Sequence, residues 1–221
     1  MTEGYFIAGT DTGVGKTFIA CALLHRLRAR GLKTVGMKPV AAGCVRTAEG
    51  FINEDVEALR AASSIALPRE AINVYAFEQP IAPHIAAANE GLQMDLGVIE
   101  RRFVELAARA DAVIVEGAGG WLVPLNATET FADLALRLGL PVVLVVGMRL
   151  GCLNHALLTA EAIVARGLRM AGWVANHVDA GMAYPEENVR SLQQRLSCPL
   201  LGRIPFQEVC DAASVALDLP Q

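Results

Sequence analysis

One run constrains this chain more than any other: GTDTGVGKT, residues 9–17. An apolar stretch, 5–9, precedes it. The segment that follows, 16–30, carries Ile19, Leu23 and Leu27 at four-residue spacing and stops at Gly31, a helix C-terminus signal. Strand, glycine-rich loop and helix in that order are what a phosphate-binding loop requires. Gly13 and Gly15 let backbone N–H groups turn towards an anion, Lys16 reaches terminal phosphates, and Thr17 offers Mg²⁺ a hydroxyl. The helix N-terminus adds its dipole. Val14 and Phe18 complete the stretch expected to bind a nucleotide.

The rest of the chain repeats the strand-then-helix alternation. Strands are expected at 5–9, 34–37, 112–116, 142–146, 170–175 and 200–204, and helices at 16–30, 55–62, 96–108, 131–138, 154–166 and 186–196. Runs such as AVIVEG and VVLVVG are apolar without alternation, as in strands buried on both faces. The expected fold is α/β: a single domain, 1–221, with a mostly parallel β-sheet and helices on both faces, of the phosphate-loop NTPase type. Residues 39–50, rich in Gly and Ala, read as a loop at the ligand-binding sheet edge.

Composition closes several alternatives. With 53% hydrophobic and 19% charged residues the chain has enough apolar surface to fold. Nineteen Lys+Arg against 23 Asp+Glu give a net charge of −4, and no basic block is long enough to track nucleic acid. The mean hydropathy is high, +0.39, but the most apolar stretch, 138–148, is broken by Gly139 and Pro141 and falls short of the roughly 20 residues of a membrane span. The start lacks a basic n-region and reaches Asp11 and Lys16 early, unlike a signal peptide. Cys21, Cys44, Cys152, Cys198 and Cys210 are widely spaced, with no C-x-x-C pair, and read as reduced thiols of a cytoplasmic protein.

The loop spacing departs from G-x-x-x-x-G-K-[ST], because Thr10 stands five residues before Gly15. It fits the variant K-G-G-x-G-K-T, with Thr12 for the first Gly and Asp11 where that class carries a signature lysine. Magnesium needs oxygen ligands. Glu116, ending AVIVE, belongs at the same sheet edge, and Asp55, opening a helix, is a second ligand candidate beside Thr17, unless it is only a helix N-terminal acid. Lys38 precedes Pro39, so its backbone is extended. Unless it is a surface lysine, its ammonium enters the crevice to hold a carbamate or offset charge on a transferred phosphoryl group.

A set of ordered blocks resembles the ATP-dependent dethiobiotin synthetases: GTDTGVGKT at 9–17, KPVAAG at 38–43, PHIAAANEG at 83–91, VEGAGGW at 115–121, LVVGMRLGCLNHALLTAEAI at 144–163, AGWVAN at 171–176 and PLLGRIP at 199–205. The resemblance implies a homodimer that uses CO₂, ATP and Mg²⁺ to close a ureido ring on 7,8-diaminononanoate. A carbamate and a carbamic-phosphoric anhydride are the intermediates. It implies catalytic roles for Lys16 and Lys38, and a metal held by Thr17, Asp55 and Glu116. Gly117, Ala118 and Gly119 lie beside the phosphates, Asn176 with His177 at the adenine, and Pro205, Phe206 and Gln207 beside the base. Thr12, Lys38 and Ala42 face the diamine. Gly151, Cys152, Leu153 and Asn154 reach across the dimer to the substrate carboxylate. Asn154 reads equally as a helix N-cap, Cys152 as a core thiol and His177 as an ordinary polar residue. Two departures stand out: Ala42 where a hydroxyl is frequent in the family, and Gly13 where some members have Glu. The rival reading is a partition or septum-type switch ATPase, which would want a lysine at position 11 and a basic amphipathic tail.

Overall fold

The six apolar runs pair side by side. A computed structural model describes residues 3–206 and 211–220. In it β1 (Glu3–Gly9), β2 (Thr34–Met37), β7 (Ala112–Glu116), β8 (Val142–Met148), β9 (Met170–His177) and β10 (Leu200–Ile204) form one sheet in the order β10-β9-β8-β1-β7-β2. Every pairing is parallel, so the strands' C-terminal ends share one edge. The reversal of strand order falls beside β1, where ligands bind in such sheets.

Alternation along β1 divides the core between the two faces. Tyr5 and Ile7 pack with Ile19, Leu23 and Leu27 of α1 (Lys16–Ala29) and Leu59 of α2 (Glu54–Ala62). Phe6 and Ala8 turn the other way. They share a core with buried residues of α5 (Leu96–Ala107), α6 (Phe131–Leu138), α7 (Cys152–Ala165) and α8 (Pro185–Arg195). Helices on both faces, and all six expected strands, are therefore present.

The stretch 39–50 departs from the expected loop. Val40–Ala42 is a strand, β3, pairing in parallel with β6 (Tyr75–Phe77), and β4 (Val45–Thr47) forms an antiparallel hairpin with β5 (Gly50–Ile52). Three-residue strands are too short to show a period. Two short helices, α3 (Arg69–Ile72) and α4 (Pro83–Asn89), also occupy the crossover; α4 has Pro83 in its first turn, where a missing N–H costs nothing.

Helix starts correct one further expectation and add a cap. Helix α7 begins at Cys152 after Gly151 in a left-handed conformation, φ 95, so Asn154 lies within the first turn and is not the N-cap. Helix α2 is capped by Asn53, whose side chain accepts from the N–H groups of Asp55 and Val56. The outer edge of β2 is covered: Ser64 Oγ accepts from Thr34 N–H at 2.8 Å and Ser63 Oγ from Gly36 N–H at 2.9 Å. Hydroxyls thereby take the donors that would invite another strand.

Candidate active site

The phosphate loop spans from β1 to α1 across this sheet edge. Gly13 (φ 72) and Gly15 (φ 89) are left-handed, a conformation that side chains resist. A Cβ on Gly15 would lie 2.2 Å from Asn176 Nδ2. That amide, 9% exposed at the end of β9, donates to the Val14 carbonyl at 2.8 Å. Val14 is buried against Gly147, which anchors the loop to β8. Lys16 donates to its own loop, Nζ to the Asp11 carbonyl at 2.8 Å. Burial and then the neighbouring Lys38 ammonium lower the Lys16 pKa to about 8.

Four side chains from four elements meet beside the loop. Thr17 Oγ1 donates to Asp55 Oδ1 at 2.7 Å and lies 2.9 Å from Glu116 Oε1. Lys38 Nζ bonds Glu116 Oε1 at 2.5 Å, Asp55 Oδ2 at 2.9 Å and the Gly117 carbonyl at 3.4 Å. Lys38 is 4% exposed and Glu116 1%. Burial pulls against the Lys38 ammonium, but Glu116 and Asp55 outweigh it and hold its pKa above the ordinary value. Burial first, and then the neighbouring Asp55 carboxylate, hold the Glu116 pKa above its ordinary value against the pull of Lys38 and Thr17. Asp55 is held low by Lys38 and Thr17 against its own burial. Asp55 is thus part of the cluster and more than a helix-dipole acid.

This donor set suits magnesium. Its oxygens are hard, and one of them, Glu116 Oε2, is buried with no hydrogen-bond partner. Among the described residues no three His, Cys, Asp or Glu side chains cluster as a metal cage. Asp55, Glu116 and the Thr17 hydroxyl are the residues that would hold Mg²⁺, an ion bound through one or two carboxylates together with substrate phosphates.

The open side of the cluster is a cleft of about 440 Å³, the size of a small-ligand site. Its walls include Thr12, Gly13, Gly15, Lys16, Thr17 and Phe18 from the loop and the start of α1, Lys38, Ala42 and Asp55 from the second crossover, Glu116 at the end of β7, and Ala118 and Gly119 just beyond it. Gly117 sits behind them, buried against Phe6. Ala42 presents a methyl group, while its carbonyl accepts from Asn53 Nδ2. A larger cleft of about 580 Å³, lined by Phe51, Tyr75, Arg69 and Arg102 among others, contains no phosphate-loop residue.

Other expected residues stand away from the cleft lining. His177 ends β9, and Pro205 and Phe206 are exposed just past β10; Gln207 lies outside the described residues. Gly151, Leu153 and Asn154 are at the start of α7, and Cys152 is buried in the core. None of the four lines the cleft of its own chain. Three residues escaped sequence reasoning. Asn53 caps the helix carrying Asp55, a signal visible as Asn before EDVEALR. Arg149 pairs with Asp11 Oδ2 at 2.5 Å, while Asp11 Oδ1 accepts from Thr12 N–H at 2.7 Å. Asn73 bonds the Lys38 carbonyl. The last two partnerships span 138 and 35 residues and left no local pattern to read.

Fold and site together define a phosphate-loop NTPase. A family model described as an AAA domain matches residues 3–214. Among solved structures the chain is similar to a ParA family ATPase from Chlorobium tepidum (TM-score 0.58, 12% identity, 94% of this chain and 86% of that one). It is also similar to the septum site-determining protein MinD from Pyrococcus horikoshii (0.54, 16%, 94% and 82%). Chloroplast FtsY from Physcomitrella patens gives 0.57 at 20% identity; the match covers all of this chain and 62% of that protein. At these identities the likeness is one of fold alone.

The relatives in sequence are far more particular. The chain is 57% identical over 216 residues to the ATP-dependent dethiobiotin synthetase BioD of Nitrosospira multiformis, covering 98% of this chain and 94% of the relative. It is 54% identical to that of Aromatoleum aromaticum, covering 99% and 98%. The chain belongs to the ATP-dependent dethiobiotin synthetase family.

Proposed function

We propose that residues 1–221 form one synthetase domain that converts 7,8-diaminononanoate, CO₂ and ATP to dethiobiotin, ADP and phosphate. This is a cyclo-ligase step of biotin biosynthesis. The observation that carries it is the convergence of Lys16, Lys38, Thr17, Asp55 and Glu116 on one cleft, in a chain 57% identical to a named synthetase.

In the first stage one substrate amine attacks CO₂ and loses a proton, leaving a carbamate. A carbamate oxygen then takes the γ-phosphoryl group as the bond to the ADP oxygen breaks. The second amine attacks the resulting anhydride, phosphate leaves with the C–O electron pair, and a second proton departs as the ring closes. Such transfers depend on positioning and charge neutralisation. Lys16 meets the terminal phosphates, and Lys38 faces the carbamate and the moving phosphoryl group. Thr17, Asp55 and Glu116 hold Mg²⁺, which when bound neutralises charge on the β- and γ-phosphates. Thr12 and the wall at Ala42 border the diamine. Gly13 to Phe18 and Gly117 to Gly119 cradle the nucleotide, while Asn176, His177, Pro205, Phe206 and Gln207 border its base. Asn176 has one N–H committed to Val14, and its other polar atoms suit a purine edge.

We further propose a homodimer in which residues 151–154 meet the carboxylate of the substrate in the partner's cleft. Supporting this, those residues do not line their own cleft, and the adjacent Leu150 is 97% exposed. The enzyme works in the cytoplasm, with neither nucleic acid nor membrane as partner. No helix among the described residues is long and apolar enough to cross a membrane, and Cys21, Cys44, Cys152 and Cys198 are free.

Phosphate release tests this. It is measured with ATP, Mg²⁺, 7,8-diaminononanoate and bicarbonate, omitting each in turn, with the organic product identified by mass spectrometry. Release that needs every component and yields dethiobiotin is expected. Release indifferent to the diamine and bicarbonate would overturn the proposal in favour of a switch ATPase.

A further inference from the structure

Strand β2 pairs with β7 on one side only, and its last ladder partners are Met37 and Val115. Lys38 is the next residue. Pro39 follows it without an N–H, so the sheet does not itself fix the backbone from which the Lys38 side chain departs. The segment 72–75 does. Lys38 N–H donates to the Ile72 carbonyl at 2.9 Å, and the Pro39 carbonyl accepts from Val74 at 3.1 Å and Tyr75 at 3.0 Å. Asn73 Nδ2 then donates to the Lys38 carbonyl at 2.7 Å and to the Tyr75 carbonyl at 3.1 Å. The first three bonds are backbone to backbone and indifferent to residue type. The last two need an NH₂ group with two donors aimed at two oxygens.

We propose that Asn73 is a positioning residue for Lys38, fixing the peptide from which the lysine ammonium reaches the cleft. The inference rests on the reading that Lys38 acts in phosphoryl transfer. Its stem is buried, 4% exposed, and its ammonium is held among Glu116, Asp55 and the Gly117 carbonyl, which leaves the four-carbon chain little room to absorb a shift of the Lys38 peptide.

Lys38→Ala, Asn73→Ala, the double variant and Asn73→Ser are compared in kcat, KM for ATP and thermal midpoint. Asn73→Ala is expected to lower kcat roughly ten- to a hundredfold, the scale of an ångström's misplacement, with KM for ATP changed less than about twofold. In the residual turnover of Lys38→Ala, adding Asn73→Ala is expected to cost nothing more. Wild-type kcat in Asn73→Ala beside an impaired Lys38→Ala overturns the inference, and so does an undiminished Asn73 effect in the Lys38→Ala background. Full turnover by Lys38→Ala instead overturns the reading of Lys38 itself. If Asn73→Ala does not fold, Asn73→Ser decides: it keeps one donor in a small side chain, so loss of kcat at unchanged KM is expected and wild-type kcat refutes the positioning role.

Discussion

Lys38 and Lys16 carry the same charge into the same cleft, yet their surroundings assign them different work. Lys16 ends the phosphate loop as the first residue of α1, and its loss is expected to remove a nucleotide ligand. Lys38 sits among Glu116, Asp55 and the Gly117 carbonyl, beyond the loop. Lys38→Ala is therefore expected to lower kcat by at least about a hundredfold while ATP affinity falls only a few-fold; steady-state kinetics beside calorimetric ATP binding check it, and equal losses would make Lys38 a nucleotide ligand instead. Gly15 tests the loop itself. Gly15→Ala forces a left-handed alanine, at about 1–2 kcal/mol, and sets its Cβ on Asn176. Loss of ATP binding together with a lower urea midpoint is expected, and wild-type binding would show that the loop conformation is not needed. The residues of this cleft were legible because each sits at a strand end, on the loop that follows it or in the first turn of a helix, positions that the motif order fixes. Arg149 and Asn73 were not, because a residue's partner across the fold is set by tertiary approach and by nothing adjacent in the chain.

Elements were legible where their length let a period develop. The six strands of the sheet are apolar runs bounded by turns, and α1 has its stop at Gly31 with a left-handed φ of 86. Strands β3 to β6 have three residues each and exist through pairing. Helix α6 shows how a start signal works. The carboxylate of Asp133 accepts from both the N–H and the hydroxyl of Thr130 at 2.7 Å, and it also pairs with Arg166 of the loop after α7. Burial alone would raise the Asp133 pKa; the Thr130 bonds and Arg166 outweigh it and hold the carboxyl below its ordinary range. A lowered folded-state pKa contributes stability above the unfolded value and loses it as pH falls through the folded one. Asp133→Ala is thus expected to lower the unfolding free energy by about 1 kcal/mol at pH 7, with the deficit shrinking below about pH 4. Urea melts at both pH values measure this; a deficit that does not change with pH would remove the carboxylate's charge from the account.

At the scale of the molecule the two described chain ends close over the same face of the sheet. Tyr5 of β1 donates to Glu3 at 2.9 Å and reaches the Pro220 carbonyl at 3.2 Å; burial, then the bond to Glu3, pushes its pKa up to about 12, so the hydroxyl stays a donor. Asp211 caps the short turn Ala212–Ser214, which packs on α1. Asp218 N–H donates to the Leu201 carbonyl at 2.8 Å. Leu217, 1% exposed, lies over Gly202, where a Cβ would meet it at 2.8 Å. Residues 211–220 are thus a cover for the outer side of the phosphate-loop helix, and sequence alone did not assign them. None of residues 211–220 is among those lining the cleft, so stability and catalysis are expected to separate here. Leu217→Ala removes buried methyl groups and is expected to lower the unfolding free energy measured in urea by about 2–5 kcal/mol. Well below its melting temperature it should keep wild-type kcat and KM for ATP. A variant that melts normally would show that the tail contributes no core. One that stays folded but loses ATP affinity would show that the tail orders the phosphate loop through α1.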